Sequence, residues 1–159
     1  MNDTMPDFTS EAVANKATSY FPRFAADPRY GPDLMREVDY SCYSGAAIFT
    51  STPSDLIRFA MAINGGKFLQ RATVELLQAE QRLSTGQGTG YGLGWDLETV
   101  SLNGVQTQVV GHDGVLLGGP MAALLTIRDR GLAVAVISNT SYADAEGIAV
   151  KIAQPFTKP

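Results

Sequence analysis

Met121-Ala122-Ala123-Leu124-Leu125-Thr126-Ile127-Arg128-Asp129-Arg130-Gly131-Leu132-Ala133-Val134-Ala135-Val136-Ile137-Ser138 decides the fold class of this chain. Two apolar runs, each too short for a helix and rich in Leu, Ile and Val, flank a polar Asp-Arg-Gly turn, which is the pattern of a β-hairpin. The second run, Leu132–Ser138, is apolar on both faces. A strand of that kind is expected in the middle of a sheet with helices packed on both sides.

Working upstream, residues 91–100, from Tyr91 to Val100, carry Trp95 and β-favouring side chains. Asn103-Gly104 then signals a type I′ turn, with Gln106–Gly111 as the returning strand. Before these strands, Thr52 is placed to cap a helix, with Pro53 at its first position and Asp55 in its first turn. Leu56, Phe59, Ala60 and Ile63 form one apolar stripe, and Gly65-Gly66 supplies a left-handed stop, so a helix is predicted over Pro53–Asn64. A second helix is predicted from Arg71 to Ala79, with Val74, Leu76 and Leu77 inward. A closing helix is predicted from Asp144 to Gln154, with Ile148, Ala149 and Ile152 inward. Residues 84–90 form a plain polar loop; they have neither a Gly-Lys-Ser/Thr nor a Gly-x-Gly-x-x-Gly opening a helix.

Residues 1–50 are irregular. Pro6, Pro22, Pro28 and Pro32 break any periodicity, while Tyr20, Phe21, Phe24, Tyr30, Tyr40 and Tyr43 supply aromatic surface. That combination describes an ordered excursion packed over something else. The expected organisation is thus one domain over residues 1–159: an excursion (1–50), a helical part (53–79), a sheet (91–138) and a closing helix (144–154). The fold class is α+β, an antiparallel sheet of about four strands flanked by helices.

The bulk composition narrows function by exclusion. The chain has 159 residues, 45% of them hydrophobic, and a net charge of −4, which suits one globular domain. Twelve basic residues against sixteen acidic ones, with no Lys/Arg run, argue against nucleic acid as a partner. No apolar run approaches the roughly 20 residues of a membrane span, and no signal peptide is present in this chain. A single cysteine, Cys42, forbids an internal disulfide, and one Cys with one His does not make a structural zinc site. No metal and no cofactor is expected.

Four stretches in order resemble one family. Tyr43-Ser44-Gly45-Ala46-Ala47-Ile48-Phe49-Thr50-Ser51-Thr52-Pro53-Ser54-Asp55-Leu56-Ile57-Arg58-Phe59 resembles its Ser-Thr-x-x-Asp-Leu-x-Arg-Phe segment. Gly90-Tyr91-Gly92-Leu93-Gly94-Trp95 resembles its Tyr-Gly-Leu-Gly-Trp element, and Gly111-His112-Asp113-Gly114 its Gly-His-x-Gly. Gly131 to Asn139 resembles its closing strand. Apart from these four, Met1-Asn2-Asp3-Thr4 resembles its Gly-Met-x-Asp-Thr segment entered just after the Gly. The family is that of the class C β-lactamase-like serine hydrolases, which include DD-peptidases, D-aminopeptidases and esterases. The resemblance implies the C-terminal part of the β-lactamase/transpeptidase-like fold.

By this resemblance His112, Asp113, Gly114 and Val115 form the substrate-binding and oxyanion strand, in which His112 faces the active-site cleft and donates a hydrogen bond or partial positive charge to substrate or to the tyrosine of the family's Tyr-x-Asn element. The backbone N–H of Val115 serves the oxyanion hole, Gly114 lets substrate approach the strand, and Tyr91 and Trp95 form the cleft wall. Asp113 follows His112 on the strand and points to the other face, so it does not orient the imidazole. The family's nucleophile is a Ser followed three residues later by a Lys, and a Tyr-x-Asn or Ser-x-Asn element completes the proton relay. The lysines here are Lys16, Lys67, Lys151 and Lys158, preceded at that spacing by Val13, Asn64, Ile148 and Pro155. No Ser-x-x-Lys, Tyr-x-Asn or Gly-x-Ser-x-Gly occurs, and Ser101-Leu102-Asn103 falls in a hairpin turn.

The expectation is therefore a C-terminal fragment of a serine hydrolase acting on an amide, β-lactam or ester, inactive alone. The alternative is a non-catalytic module, descended from that fold, that binds peptides or a partner. In the family fold an N-terminal strand lies beside the last strand. Without it, Leu132–Ser138 is expected to be an open apolar edge that takes the N-terminal segment or self-associates. The family's members are often periplasmic or secreted; the compartment of this chain is left open.

Overall fold

The structure, a computed structural model, describes residues 1–7, 13–23, 28–36, 38–46, 48–115 and 119–157. Phe24, Ala47 and Lys158, named above, lie outside them. In chain order the excursion contains four short strands: β1 (Met5–Pro6), β2 (Tyr20–Pro22), β3 (Pro32–Leu34) and β4 (Phe49–Thr50). The helices α1 (Pro53–Asn64) and α2 (Arg71–Leu77) follow. Then come β5 (Asp96–Leu102), β6 (Val105–Val115), β7 (Met121–Ile127), β8 (Leu132–Ser138) and α3 (Ala145–Ala153).

The last four strands form one antiparallel sheet in the order β5-β6-β7-β8. Sequential neighbours pair because short turns join them. Asn103 and Gly104 both take positive φ (51° and 81°), as a type I′ hairpin turn demands. Gly131, at φ 59°, closes the β7–β8 connection after a 3₁₀ turn at Arg128–Arg130.

Alternation along β6 sorts the two layers. Val109 belongs to a core with Leu102, Leu125, Ile127, Val134 and the α3 residues Ala149 and Ala153. Val110, pointing the other way, packs with Trp95, Ile63 of α1 and Val74 of α2. The sheet is therefore covered on one face by α3 and on the other by α1 and α2. Each fully buried Leu, Ile or Val contributes about 1.5–3 kcal/mol through apolar area removed from water.

Several boundaries differ from expectation. β5 begins at Asp96 rather than Tyr91, because Gly90 and Gly94 take positive φ (67° and 82°) and break the extended run. β6 runs on past Gly111 to Val115, so the whole Gly-His-Asp-Gly stretch is strand. β8 is not central: among the described residues it ends the sheet, although α1 and α3 both pack on it. Apolarity on both faces reports covering layers, not lateral position. α2 stops at Leu77 with Val74 buried, and Leu76 is 62% exposed rather than inward. In α3 the buried stripe is Ala145, Ala149 and Ala153, while Ile148 and Ile152 are 40% and 43% exposed. Only small side chains let this helix lie close on the sheet.

The ends of the excursion are tied together, Met5 pairing with Thr50 and Pro6 with Phe49. Its middle packs at the far end of β8. The Tyr20 N–H donates to the Asn139 carbonyl (2.8 Å), the Ser141 N–H to the Tyr20 carbonyl (3.1 Å), and Phe21 meets Tyr142 edge-on.

The N-terminus of α1 holds the first residues of the chain. Asp55 is fully buried and accepts from the backbone N–H of Asn2 (3.2 Å) and Asp3 (2.8 Å), the Thr4 hydroxyl (2.9 Å) and the Arg58 guanidinium (2.6 Å). Burial alone would push this carboxyl up. The four donors overrule it and hold Asp55 well below the usual carboxylate range. Thr52 caps the same helix, its hydroxyl accepting from the Asp55 N–H.

Candidate functional site

β6 outruns β5 at its C-terminal end. The pairing with β5 stops at Asp96–Gly111, while β7 continues beside β6 as far as Val115. His112, Asp113, Gly114 and Val115 thus form a strand segment with β7 on one side. Among the described residues no strand pairs with its other side. Alternate backbone N–H and C=O groups of this segment face that side, as in any half-paired strand.

Over the segment stand two side chains from separate stretches of sequence. Nε2 of His112 lies 2.9 Å from the Tyr91 hydroxyl, with the rings edge-to-face at 79°. Tyr91 is positioned by the end of α2. The Gln81 N–H donates to the Tyr91 carbonyl (2.8 Å) and the Leu93 N–H to the Leu77 carbonyl (2.7 Å). A Cβ at Gly92 would meet the Leu77 carbonyl oxygen at 2.3 Å, so glycine is required for this close approach.

The other ring nitrogen fixes the tautomer. Nδ1 of His112 is 2.5 Å from the Asp113 carbonyl oxygen, which can only accept, so Nδ1 carries the proton. In the neutral ring Nε2 must then accept from Tyr91. Both ring nitrogens of His112 are thus engaged within the chain. The nearest carboxylate is Asp96, with an oxygen 3.9 Å from Nδ1.

The remaining candidates are distributed unevenly. Asp113 points away from the imidazole side, as strand alternation requires. A Cβ at Gly114 would meet nothing within 4 Å, so the backbone there is open to approach. Val115 is 49% exposed. Trp95 does not line the cleft: it is buried against Ile63 and Val74, with Phe59, Leu69, Leu77 and Val110 around it.

On the α3 side of the sheet, Asp96, Glu98, Asp113 and Glu146 border one cavity floored by Gly111. Glu98 bonding, then burial, then the charges of Glu98, Asp113 and Asp96 push the Glu146 carboxyl up to about 7. Sequence reasoning missed this grouping, and also Asp96 beside His112. Neither lies in a motif, and only the sheet register brings them together. Among the described residues no cluster fit to hold a metal ion occurs.

A model of the family described as Beta-lactamase matches residues 1–154. The chain belongs to the Beta-lactamase family. It is similar to penicillin-binding protein 4* of Bacillus subtilis (strain 168), 32% identical over 101 residues, which cover 61% of this chain and 21% of that protein. Among solved structures it resembles a D-stereospecific amidohydrolase from Streptomyces sp., with TM-score 0.71 and 21% identity over 99% of this chain and 44% of that one. An octameric penicillin-binding protein homologue from Pyrococcus abyssi superposes with TM-score 0.69 and 20% identity, over 99% of this chain and 35% of that one. The D-amino acid amidase of Ochrobactrum anthropi SV3, complexed with D-phenylalanine, gives TM-score 0.65 and 20% identity over 98% and 47% of the two chains. The chain thus spans less than half the length of each of these relatives. The α+β arrangement with its antiparallel sheet is that of the β-lactamase/transpeptidase-like fold, and no helix among the described residues is long and apolar enough to cross a membrane.

Proposed function

We propose that this chain is the C-terminal portion of a serine β-lactamase-like hydrolase working through an acyl-enzyme on an amide, β-lactam or ester, and that it is inactive alone. The observation that carries this reading is a family match over residues 1–154 in a sequence with no Ser-x-x-Lys and no Tyr-x-Asn. Acyl transfer needs an activated nucleophile, and the half-paired strand His112–Val115 supplies only positioning and an oxyanion contact.

The nucleophile then comes from a segment that completes the sheet at β8. Two features support this. Among the described residues no strand pairs with the outer edge of Leu132–Ile137, and the Tyr20–Thr140 bridge occupies only the position just past its C-terminal end. Ile148 and Ile152 stand on the flank of α3 opposite Glu146 and Val150. Glu146 faces β5, so the isoleucines overhang the β8 edge. An added strand would find its backbone partners in β8 and apolar cover in α3. Without that segment, two copies associate through the same edge.

The test is the intact mass of the chain after incubation with a fluorescent penicillin and, separately, a fluorophosphonate. No adduct is expected with either. A stoichiometric adduct on one serine would falsify the missing-nucleophile reading.

A further inference from the structure

Ser141, on the chain that leaves β8, is a buried polar side chain with 1% exposure. Its hydroxyl lies between two parts of the molecule that are distant in sequence. On one side is the Gly119 carbonyl, 2.9 Å away, on the path from β6 to β7. On the other is Met35 of the excursion, its sulfur at 3.9 Å. A hydroxyl has one proton to give, and a thioether is the weaker acceptor, so Ser141 donates to Gly119 and packs against Met35. The excursion is fastened to the same short segment. The Asn139 side-chain amide donates to the Thr18 carbonyl (2.7 Å), and the Met35 N–H donates to the Ser19 carbonyl (3.0 Å). Tyr20 lies between these two contacts, bridged in parallel to Thr140. Contacts therefore run without a break from the excursion through residues 139–141 to Gly119.

Gly119 in turn lies beyond the end of the His112–Val115 segment. Leu102 and Val105, flanking the two-residue turn, exchange both backbone bonds, and the pattern alternates from there. Counting along β6, the Gly114 N–H faces Ala122 of β7 and the Val115 N–H faces the open side. Gly114–Ala122 is thus the last fully bonded pair before the chain turns through Gly119 into Met121, which stands between Val115 and Ser138. A strand end with one neighbour frays easily, whereas an oxyanion donor has to be held in place before charge develops. We propose that Ser141 is a positioning residue through which the docked excursion holds the end of the His112–Val115 strand. Its catalytic meaning rests on the hydrolase reading; the coupling itself does not.

The test is backbone amide hydrogen exchange in the full chain, comparing the parent with Ser141→Ala, Asn139→Ala and the double variant. Gly114 and Ala122 report the strand end, while Val109 and Leu125, buried further along β6 and β7, report the sheet as a whole. Ser141→Ala is expected to speed exchange at Gly114 and Ala122 about fivefold or more, the effect of one buried hydrogen bond on a local opening. Val109 and Leu125 are expected to keep the parent rate. Asn139→Ala changes an exposed side chain and loosens only the excursion's hold. It is expected to speed the same two amides about twofold or more, and the double variant to fall short of the product of the two effects. Parent rates at Gly114 and Ala122 in either variant, effects that simply multiply, or equal acceleration of all four amides overturn the proposal, the last by reducing Ser141 to general stability. If Ser141→Ala does not fold, Asn139→Ala decides the matter through the same rates. None of these readouts needs a nucleophile. A penicillin adduct would overturn the inactive-chain reading and leave the coupling standing, and uncoupled rates would do the reverse.

Discussion

The hydroxyl of Tyr91 stands 2.9 Å from Nε2 of His112, 21 residues further along the chain. Neither residue gains that position from its own strand. Tyr91 lies ahead of β5, in a bend held by positive-φ glycines and by backbone bonds to the end of α2. His112 lies where β6 has run past the start of β5. The pair forms because the tyrosine bend and the overhanging strand end occupy the same corner of the sheet.

Two glycines flanking His112 make opposite demands. A Cβ at Gly111 would meet the Leu124 carbonyl oxygen at 2.3 Å and the Leu125 Cα at 3.2 Å, both backbone atoms of β7. Gly111→Ala is expected to cost roughly 1–3 kcal/mol, read as a lowered midpoint in thermal denaturation. Gly114 has open space around it. Gly114→Ala should stay within roughly 0.5 kcal/mol of the parent, and a midpoint lowered as far as that of Gly111→Ala would show that the strand end is packed rather than open.

The Asp55 clamp should show itself in acid. The folded value is depressed, so the stability it contributes is fully present above the unfolded carboxylate value of about 4 and is lost as the pH falls toward the lower folded value. Asp55→Ala is expected to melt well below the parent at neutral pH. The gap between the two melting curves should begin to close only below about pH 4; a gap independent of pH across that range would show that packing, not charge, sets it.

Glu146 has the opposite sign. Its folded value, about 7, is raised by Glu98 and burial. Stability from the protonated group is complete below the unfolded value of about 4.3 and disappears as the pH rises through 7. Glu146→Gln, neutral at every pH, should melt with the parent near pH 4 and above it at pH 8. Identical melting at both pH values would mean that Glu98 and Glu146 do not repel.

Ile148 and Ile152 carry the test of the open edge. Replacing both by Lys puts two charges over β8 without touching the alanine stripe that seats α3. Light scattering across a concentration series should show the parent associating and the double variant monomeric, with folding unchanged by circular dichroism. A parent that is monomeric at high concentration removes the edge from the list of contacts.

Much of this architecture is legible in the sequence because it is written in local chemistry. Thr52, Pro53 and Asp55 mark the start of α1, and the structure places its first helical residue at Pro53. Asn103-Gly104 fixes a hairpin because few other pairs tolerate two consecutive positive φ angles. The four motif stretches, read in order, are enough to place the chain in its family. Periodicity is less informative where one element offers two plausible faces. In α3 the larger side chains were expected inward, but the alanines face the sheet, since close packing of helix on sheet selects size as well as apolarity.

The sequence by itself determined the three helices, the two tight turns of the main sheet, the family, and the lack of a Ser-x-x-Lys in this chain, all of which depend on neighbours in the chain. Tertiary structure decided the rest. It put β8 at the end of the sheet, buried Trp95, paired Tyr91 with His112, brought Asp96 beside the imidazole, and drew Asn2, Asp3 and Thr4 onto Asp55. These are consequences of strand order, register and bends. A one-residue change in register reverses which side chains share a face, and no local pattern of residues encodes which distant backbone will arrive beside them.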